Sequence, residues 1–180
     1  VYEDIILENS STLKNIYLQN DKSSGYFHKY SKNKLSKGSN FTSFIFPTGL
    51  KFNKLDLEFN LEGQQSECNL QSASFLNEGE HQEIKTLVNH LSPGCKSYQK
   101  VKNVLSNESK GVYQGKIFVK DVAQKTDAYQ LSKAILLSER SEFDSKPELE
   151  IYADDVKCSH GSTSGSLDKD SIYYLMTRGL

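Results

Sequence analysis

The chain has 180 residues, 36% of them hydrophobic, with 22 basic against 23 acidic residues and a formal net charge of −1. That length suits one well-filled domain, and the charge balance gives no electrostatic case for nucleic acid or an anionic membrane surface as a partner. No stretch approaches the roughly 18 apolar residues of a membrane span. The N-terminus lacks the basic-then-apolar pattern of a secretory signal.

The pattern along the chain is one of short strand-like pieces. Thr12 to Leu18 is ambiguous. The basic stretch from Lys29 to Lys37 reads as a solvated loop or an edge strand, where lysine blunts unwanted pairing. Phe41 to Phe46 is a strand ended by Pro47. Lys51 to Leu61 alternates at Leu55, Leu57, Phe59 and Leu61, the period of a half-buried strand. Further strands are expected over Asn69–Leu76, Ile84–His90, Lys96–Leu105, Gly111–Val119, Leu131–Leu137 and Leu149–Val156. The connections are short and polar, too short for the helices of a βαβ fold. That leaves a sandwich, a barrel or a solenoid. No exact repeat is visible, yet Asn-Gly and Asp-Gly hairpin signals are absent, so pattern alone ranks solenoid and sandwich equally. Near the C-terminus Asp168 can cap a helix from about 169 to 178, with Asp170 in its first turn and Ile172, Leu175 and Met176 on one stripe. Arg178 and Gly179 supply its exit.

Chemistry concentrates at Asp154-Asp155-Val156-Lys157-Cys158-Ser159-His160-Gly161. On a strand, residues two apart share a face, so Cys158 and His160 can meet one ion or cluster together. A closed zinc site wants four ligands, and one pair is half a site. Thiolate and imidazole are both ligands of iron–sulfur clusters. The bland reading is a buried cysteine beside a hydrogen-bonded histidine. His81 reads as a surface residue among glutamates and His90 as a structural histidine. Cys68 and Cys95 read as packing residues. Three scattered cysteines make no disulfide framework, which favours a reducing compartment. Asp154 and Asp155, as neighbours on a strand, would face opposite ways and share no acid–base work. Gly161 to Gly165 lacks both the phosphate-loop lysine and the dinucleotide glycine spacing.

With those residues in view, the chain resembles the SufB/SufD family of iron–sulfur cluster assembly scaffolds, and most closely its SufD branch. The resemblance is carried by Pro147-Glu148-Leu149-Glu150-Ile151 and Asp154 to Gly161. Gly165-Ser166-Leu167-Asp168 and Tyr173 to Gly179 continue it downstream. His90 with Ser97, Gly115 to Val119, and Ala123 to Gln130 support it upstream. The tetrad Cys158-Ser159-His160-Gly161 marks SufD-like chains; SufB-like chains look like Glu-His-Glu-Ala there.

The resemblance implies an all-β, right-handed parallel β-helix over residues 1–166, followed by the beginning of a C-terminal helical region at 167–180. It implies a non-enzymatic scaffold that pairs with a SufB-like subunit, while a SufC-like ATPase docks on the helical part that is largely missing from this sequence. A nascent Fe–S cluster is expected at the subunit interface, with His160 and Cys158 as iron ligands from this side. A homodimer through the β-helix ends, and a cytoplasmic or plastid-stromal location, complete the expectation. Because the sequence starts with Val and its helix ends at the last residues, it reads as a fragment or processed piece. The alternative is a β-helix polysaccharide-binding or polysaccharide-degrading protein, for which ten tyrosines leave room; the lack of a signal segment and of clustered carboxylates counts against it.

Overall fold

The computed structural model describes residues 1–20, 22–166 and 168–180, without the side chain of Lys169. Among the described residues twelve strands and one helix follow in order: β1 (Tyr2–Leu7), β2 (Thr12–Gln19), β3 (Ser23–Leu35), β4 (Asn40–Pro47), β5 (Leu50–Leu61), β6 (Glu67–Leu76), β7 (His81–His90), β8 (Lys96–Leu105), β9 (Lys110–Val119), β10 (Asp127–Leu136), β11 (Glu142–Ile151), β12 (Lys157–Ser166) and α1 (Lys169–Thr177). The odd strands form one sheet in the order β1-β3-β5-β7-β9-β11, and the even strands form the other, β12-β10-β8-β6-β4-β2. Every pairing is parallel. The chain is therefore a parallel β-helix of six turns, each made of one odd and one even strand. The tie between solenoid and sandwich resolves to the solenoid.

Successive side chains point to opposite faces of a strand, and the burial of β6 through β9 alternates along their length accordingly. Inward residues stack in rows across the turns. Leu55, Ile84 and Tyr113 lie in one row; Phe59, Val88 and Ile117 lie in another. The main core joins Leu35, Phe41, Ile45, Leu55, Phe59, Leu61 and Leu70. A smaller apolar cluster of Ile117, Val119, Ala123, Ala128 and Ala153 lies toward β12.

The corners after β1, β3, β5, β7 and β9 repeat one device. Ser10, Gly38, Gln65, Gly94 and Lys125 all have positive φ, and each donates its backbone N–H to a carbonyl of the next turn's corner. The residue that follows is small. Ser39, Ser66 and Thr126 fold their hydroxyls onto the carbonyl three residues back, at 2.7, 2.9 and 2.8 Å. Cys95 fills the same slot, its thiol 3.2 Å from the Gly63 carbonyl. Gly63 itself sits so close to the Lys37 backbone that a Cβ there would overlap it. Small polar residues thus turn the chain where backbone must pass over backbone.

Three expectations need correction. The Lys29–Lys37 stretch is neither loop nor edge: most of it lies in β3, between β1 and β5. Lys29 points inward and is compensated by Glu3 at 2.9 Å. The strand expected over Leu149–Val156 ends at Ile151, and residues 152–156 form the last corner, with the Asp155 carbonyl accepting from the Lys125 N–H at 2.6 Å. Asp154 and Asp155 are therefore corner residues and not neighbours on a strand. The helix forms where expected: the Asp168 carboxylate accepts from the Ser171 N–H, and Gly179 takes φ +80° at the exit. Its apolar stripe, Ile172, Leu175 and Met176, stays exposed. Leu167, where the expected domain boundary falls, lies outside the described residues.

Candidate functional site

Strand β12 pairs with β10 over ten rungs, and the register sets Cys158 beside Ala128, His160 beside Gln130 and Ser162 beside Ser132. Ala128, Gln130 and Ser132 are all buried inside the solenoid. Cys158, His160 and Ser162 hence continue the same inward rows, and the expected shared face of thiol and imidazole is present. β11 and β12 end their respective sheets, so the inner side of this last turn opens outward among the described residues. That explains why His160 is exposed while facing inward, and why Cys158 is only half-buried.

The two donors differ in environment. Cys158 packs against the apolar cluster of Ile117, Val119 and Ala128. Burial pushes its thiol up from the ordinary value, the Ala128 backbone N–H partly offsets that, and the Asp127 carboxylate adds to it. A thiol so placed is the less ready metal ligand until a cation displaces its proton. His160 makes no hydrogen bond among the described residues, so both ring nitrogens are open to an incoming group.

Beneath His160 lies a polar floor. Gln130, fully buried, takes the Tyr113 hydroxyl on its Oε1 at 3.3 Å and points its Nε2 toward the carbonyls of Gly115 and Glu148 at 3.4 and 3.3 Å. The same Tyr113 hydroxyl lies 3.2 Å from Gln99 Oε1, two acceptors for one proton. Burial pushes the Tyr113 phenol up to about 12. A Cβ at Gly115 would overlap both Tyr113 and Gln130, so this node exists because residue 115 has no side chain. One turn earlier, His90 bonds Ser97 at 2.8 Å. Sequence reasoning did not single out Tyr113 or Gln99 for a polar role. Reading Gly111-x-Tyr113-x-Gly115 at period two, with small residues on both sides of an inward tyrosine, would have found the node.

The remaining candidates fall as expected or into structural roles. His90 is buried, with Nε2 satisfied and Nδ1 without a partner. His81 is partly buried, bonds Glu83 at 3.1 Å and lies over Phe52. Cys68 and Cys95 are buried packing residues, and burial drives the Cys68 thiol far up. Among the described residues no three His, Cys, Asp or Glu side chains come together to hold a metal. The carboxylates of the β7, β9 and β11 outer face are spent on lysines: Lys54–Glu83, Lys110–Glu142, Lys116–Glu150. They form no free acid pair of the kind a glycosidase needs. No described helix is long and apolar enough to cross a membrane.

Comparison with known proteins gives this geometry its family. Residues 2–180 match the family described as the SUF system FeS cluster assembly SufBD core domain. The chain belongs to that family. It is 34% identical over 155 residues to the iron–sulfur cluster assembly protein SufD of Escherichia coli, covering 85% of this chain and 37% of that protein. It is 26% identical over 180 residues to an iron–sulfur cluster assembly SufBD family protein of Synechocystis, with 100% and 40% covered. A third relative, the chloroplastic protein ABCI7 of Arabidopsis thaliana, is 27% identical over 178 residues, with 98% and 38% covered. The SufBD core domain described here spans about two fifths of the length of these relatives.

Proposed function

We propose that this SufBD core is the SufD-like half of a scaffold on which Fe–S clusters are built, and that it pairs with a SufB-like subunit through the open β11–β12 end. The observation that carries this reading is the position of Cys158 and His160. They lie on the inward rows of a terminal strand whose outer edge is unpaired among the described residues. An unpaired strand edge presents a row of backbone donors and acceptors to a second chain. A second solenoid docked there would bring its own side chains over the same rows. The two donors are half a ligand set, and a partner at that edge supplies the rest.

In this reading the cluster is cargo assembled and passed on, not a resident cofactor. His160, exposed and free of hydrogen bonds, is the principal iron ligand, and half-buried Cys158 is secondary. Imidazole and thiolate are both competent toward cluster iron. The protein is a scaffold and not an enzyme, and nucleotide hydrolysis belongs to a SufC-like ATPase that docks outside these residues. The setting is the cytoplasm, or the plastid stroma in an organism with plastids. Homodimers through the same open end compete with the SufB-like pairing.

The test uses the full-length protein reconstituted with SufB-like and SufC-like subunits, iron and a sulfur source. His160→Ala should lower cluster yield, read by visible absorbance and by iron and sulfide content, several-fold. Circular dichroism and co-elution of the subunits should not change. Cys158→Ala should have the smaller effect. Unchanged yield in His160→Ala would remove the assignment.

A further inference from the structure

Coiling the chain sorts its lysines in a way that chain order hides. On the outer face of the odd-strand sheet, bases stand beside acids: Lys54 lies 3.1 Å from Glu83, Lys110 3.0 Å from Asp144 and Lys116 2.6 Å from Glu150. The outer face of the even-strand sheet is different. Its carboxylates, Glu67 and Asp127, stand at the first rungs of their strands and are already engaged, by Lys96 at 3.0 Å and by the Tyr98 hydroxyl at 2.9 Å. Further along, Lys100 sits beside Leu131, and Lys102 sits directly opposite Lys133. All three lysines are exposed, and none has an acidic partner among the described residues.

Like charges facing each other across a ladder repel, so the Lys102–Lys133 pair works against the fold. Beside it runs an apolar row, Phe75, Val104 and Ile135, aligned rung on rung. Phe75 and Ile135 remain 47% and 42% exposed. Unneutralised cations next to an aligned apolar row are complementary to a surface that alternates carboxylates with apolar side chains. A nucleic acid backbone would meet the lysines and leave the apolar row unmatched.

We propose that the outer face of β8 and β10, centred on Lys100, Lys102 and Lys133, docks an acidic protein partner whose apolar side chains cover Phe75, Val104 and Ile135. This surface is on the flank of the solenoid, separate from the open end where His160 lies, and the proposal stands whether or not His160 binds iron.

The test compares Lys102→Glu with wild type in the full-length protein. Lys37→Glu, at an exposed corner, serves as the charge control. The probes are a fluorescent peptide alternating Glu and Leu, a 20-nucleotide single-stranded DNA, and phosphatidylserine vesicles. The peptide should bind saturably and less tightly as salt rises. Lys102→Glu should weaken it roughly tenfold, while Lys37→Glu leaves it unchanged. Bound peptide should shield Lys100, Lys102 and Lys133 from acylation. Because Lys102→Glu replaces a repulsive pair with an attractive one, its melting temperature should hold or rise, so weaker binding cannot come from unfolding. No saturable binding, equal binding by Lys102→Glu, or tighter binding of the DNA or the vesicles through these lysines would overturn the proposal.

Discussion

Turn 3 places Leu55, Leu57 and Leu70 at inward rungs where turn 5, two coils further on, places Tyr113, Gly115 and Gln130. The backbone path is the same in both. Parallel ladder bonds hold each coil to the next whatever the side chains are, which leaves the interior free to vary. At these rungs turn 3 is stabilised by transfer of apolar surface, about 1.5–3 kcal/mol for each fully buried leucine, although Asn53, Ser72 and Ser74 also lie buried in that turn. At the same rungs turn 5 depends on directional partners worth about 1 kcal/mol net each, costly only where one is missing, while Ile117, Val119 and Ala128 form an apolar cluster beside them. The difference shows why the end that carries Cys158 and His160 can be polar. A coil next to an open rim needs an interior that tolerates water, and the ladder lets it have one.

The largest effect should come from breaking the apolar side of the comparison. Phe59 is 1% exposed and meets Phe41 edge to face, with ring centroids 5.1 Å apart. Phe59→Ala removes that contact and leaves a cavity that stacked backbone cannot collapse to fill. A loss of about 3–5 kcal/mol is expected, measured as a lowered midpoint in urea. A loss below 1 kcal/mol would mean that the apolar turns are not where stability resides.

Polar interiors carry a pH liability that apolar ones lack. Burial pushes the His90 imidazole down to about 4, so the folded chain keeps it neutral while the unfolded chain protonates near 6.5. Between those values the unfolded state binds more protons. Stability from this group is therefore complete above about pH 6.5 and is lost as pH falls toward 4. Between pH 7 and pH 5 the decline should be about 2 kcal/mol. Glu3, Glu58, Glu148 and Glu150 are held below the usual carboxylate range, so their losses begin at lower pH. Urea melts at pH 7, 6 and 5 give the slope, and His90→Gln should flatten it. An equal slope in that variant would place the sensitivity elsewhere.

Much of this was legible in the sequence, and the reasons for the gaps are physical. Lys51 to Leu61 announced its strand because one face is buried. The cap at Asp168 announced α1. The coil itself did not show as a repeat because its length varies: Lys29 stacks under Leu55, but Tyr113 stacks under Ser145. Extra residues collect at corners such as 120–126, where a solenoid tolerates them. Lysine on a strand suggests an edge, and only the register shows that Lys29 of β3 faces inward beside Glu3. At the site, the spacing of Cys158 and His160 gave the shared face. Their position at an open end, the Tyr113–Gln130 floor and the lysine face on β8 and β10 all depend on which coil lies next to which.

The smallest effect is the sharpest test, because one row of inward side chains carries Ser72 in turn 3, Val101 in turn 4 and Ser132 in turn 5. The Ser72 hydroxyl is buried without a partner. The Ser132 hydroxyl links two others, 2.7 Å from Ser145 Oγ and 3.0 Å from Ser162 Oγ. The same substitution should therefore act in opposite directions. Ser72→Ala removes an unsatisfied group from the rung beside Val101 and should be neutral or stabilising by a few tenths of a kcal/mol. Ser132→Ala breaks a hydroxyl chain, but Ser162 is exposed and can turn to water, so the loss should stay below about 1 kcal/mol. Paired urea melts resolve the sign. Two losses of equal size would mean that the Ser72 hydroxyl has a partner of its own, and the contrast between the two coils would then lie in side-chain volume alone.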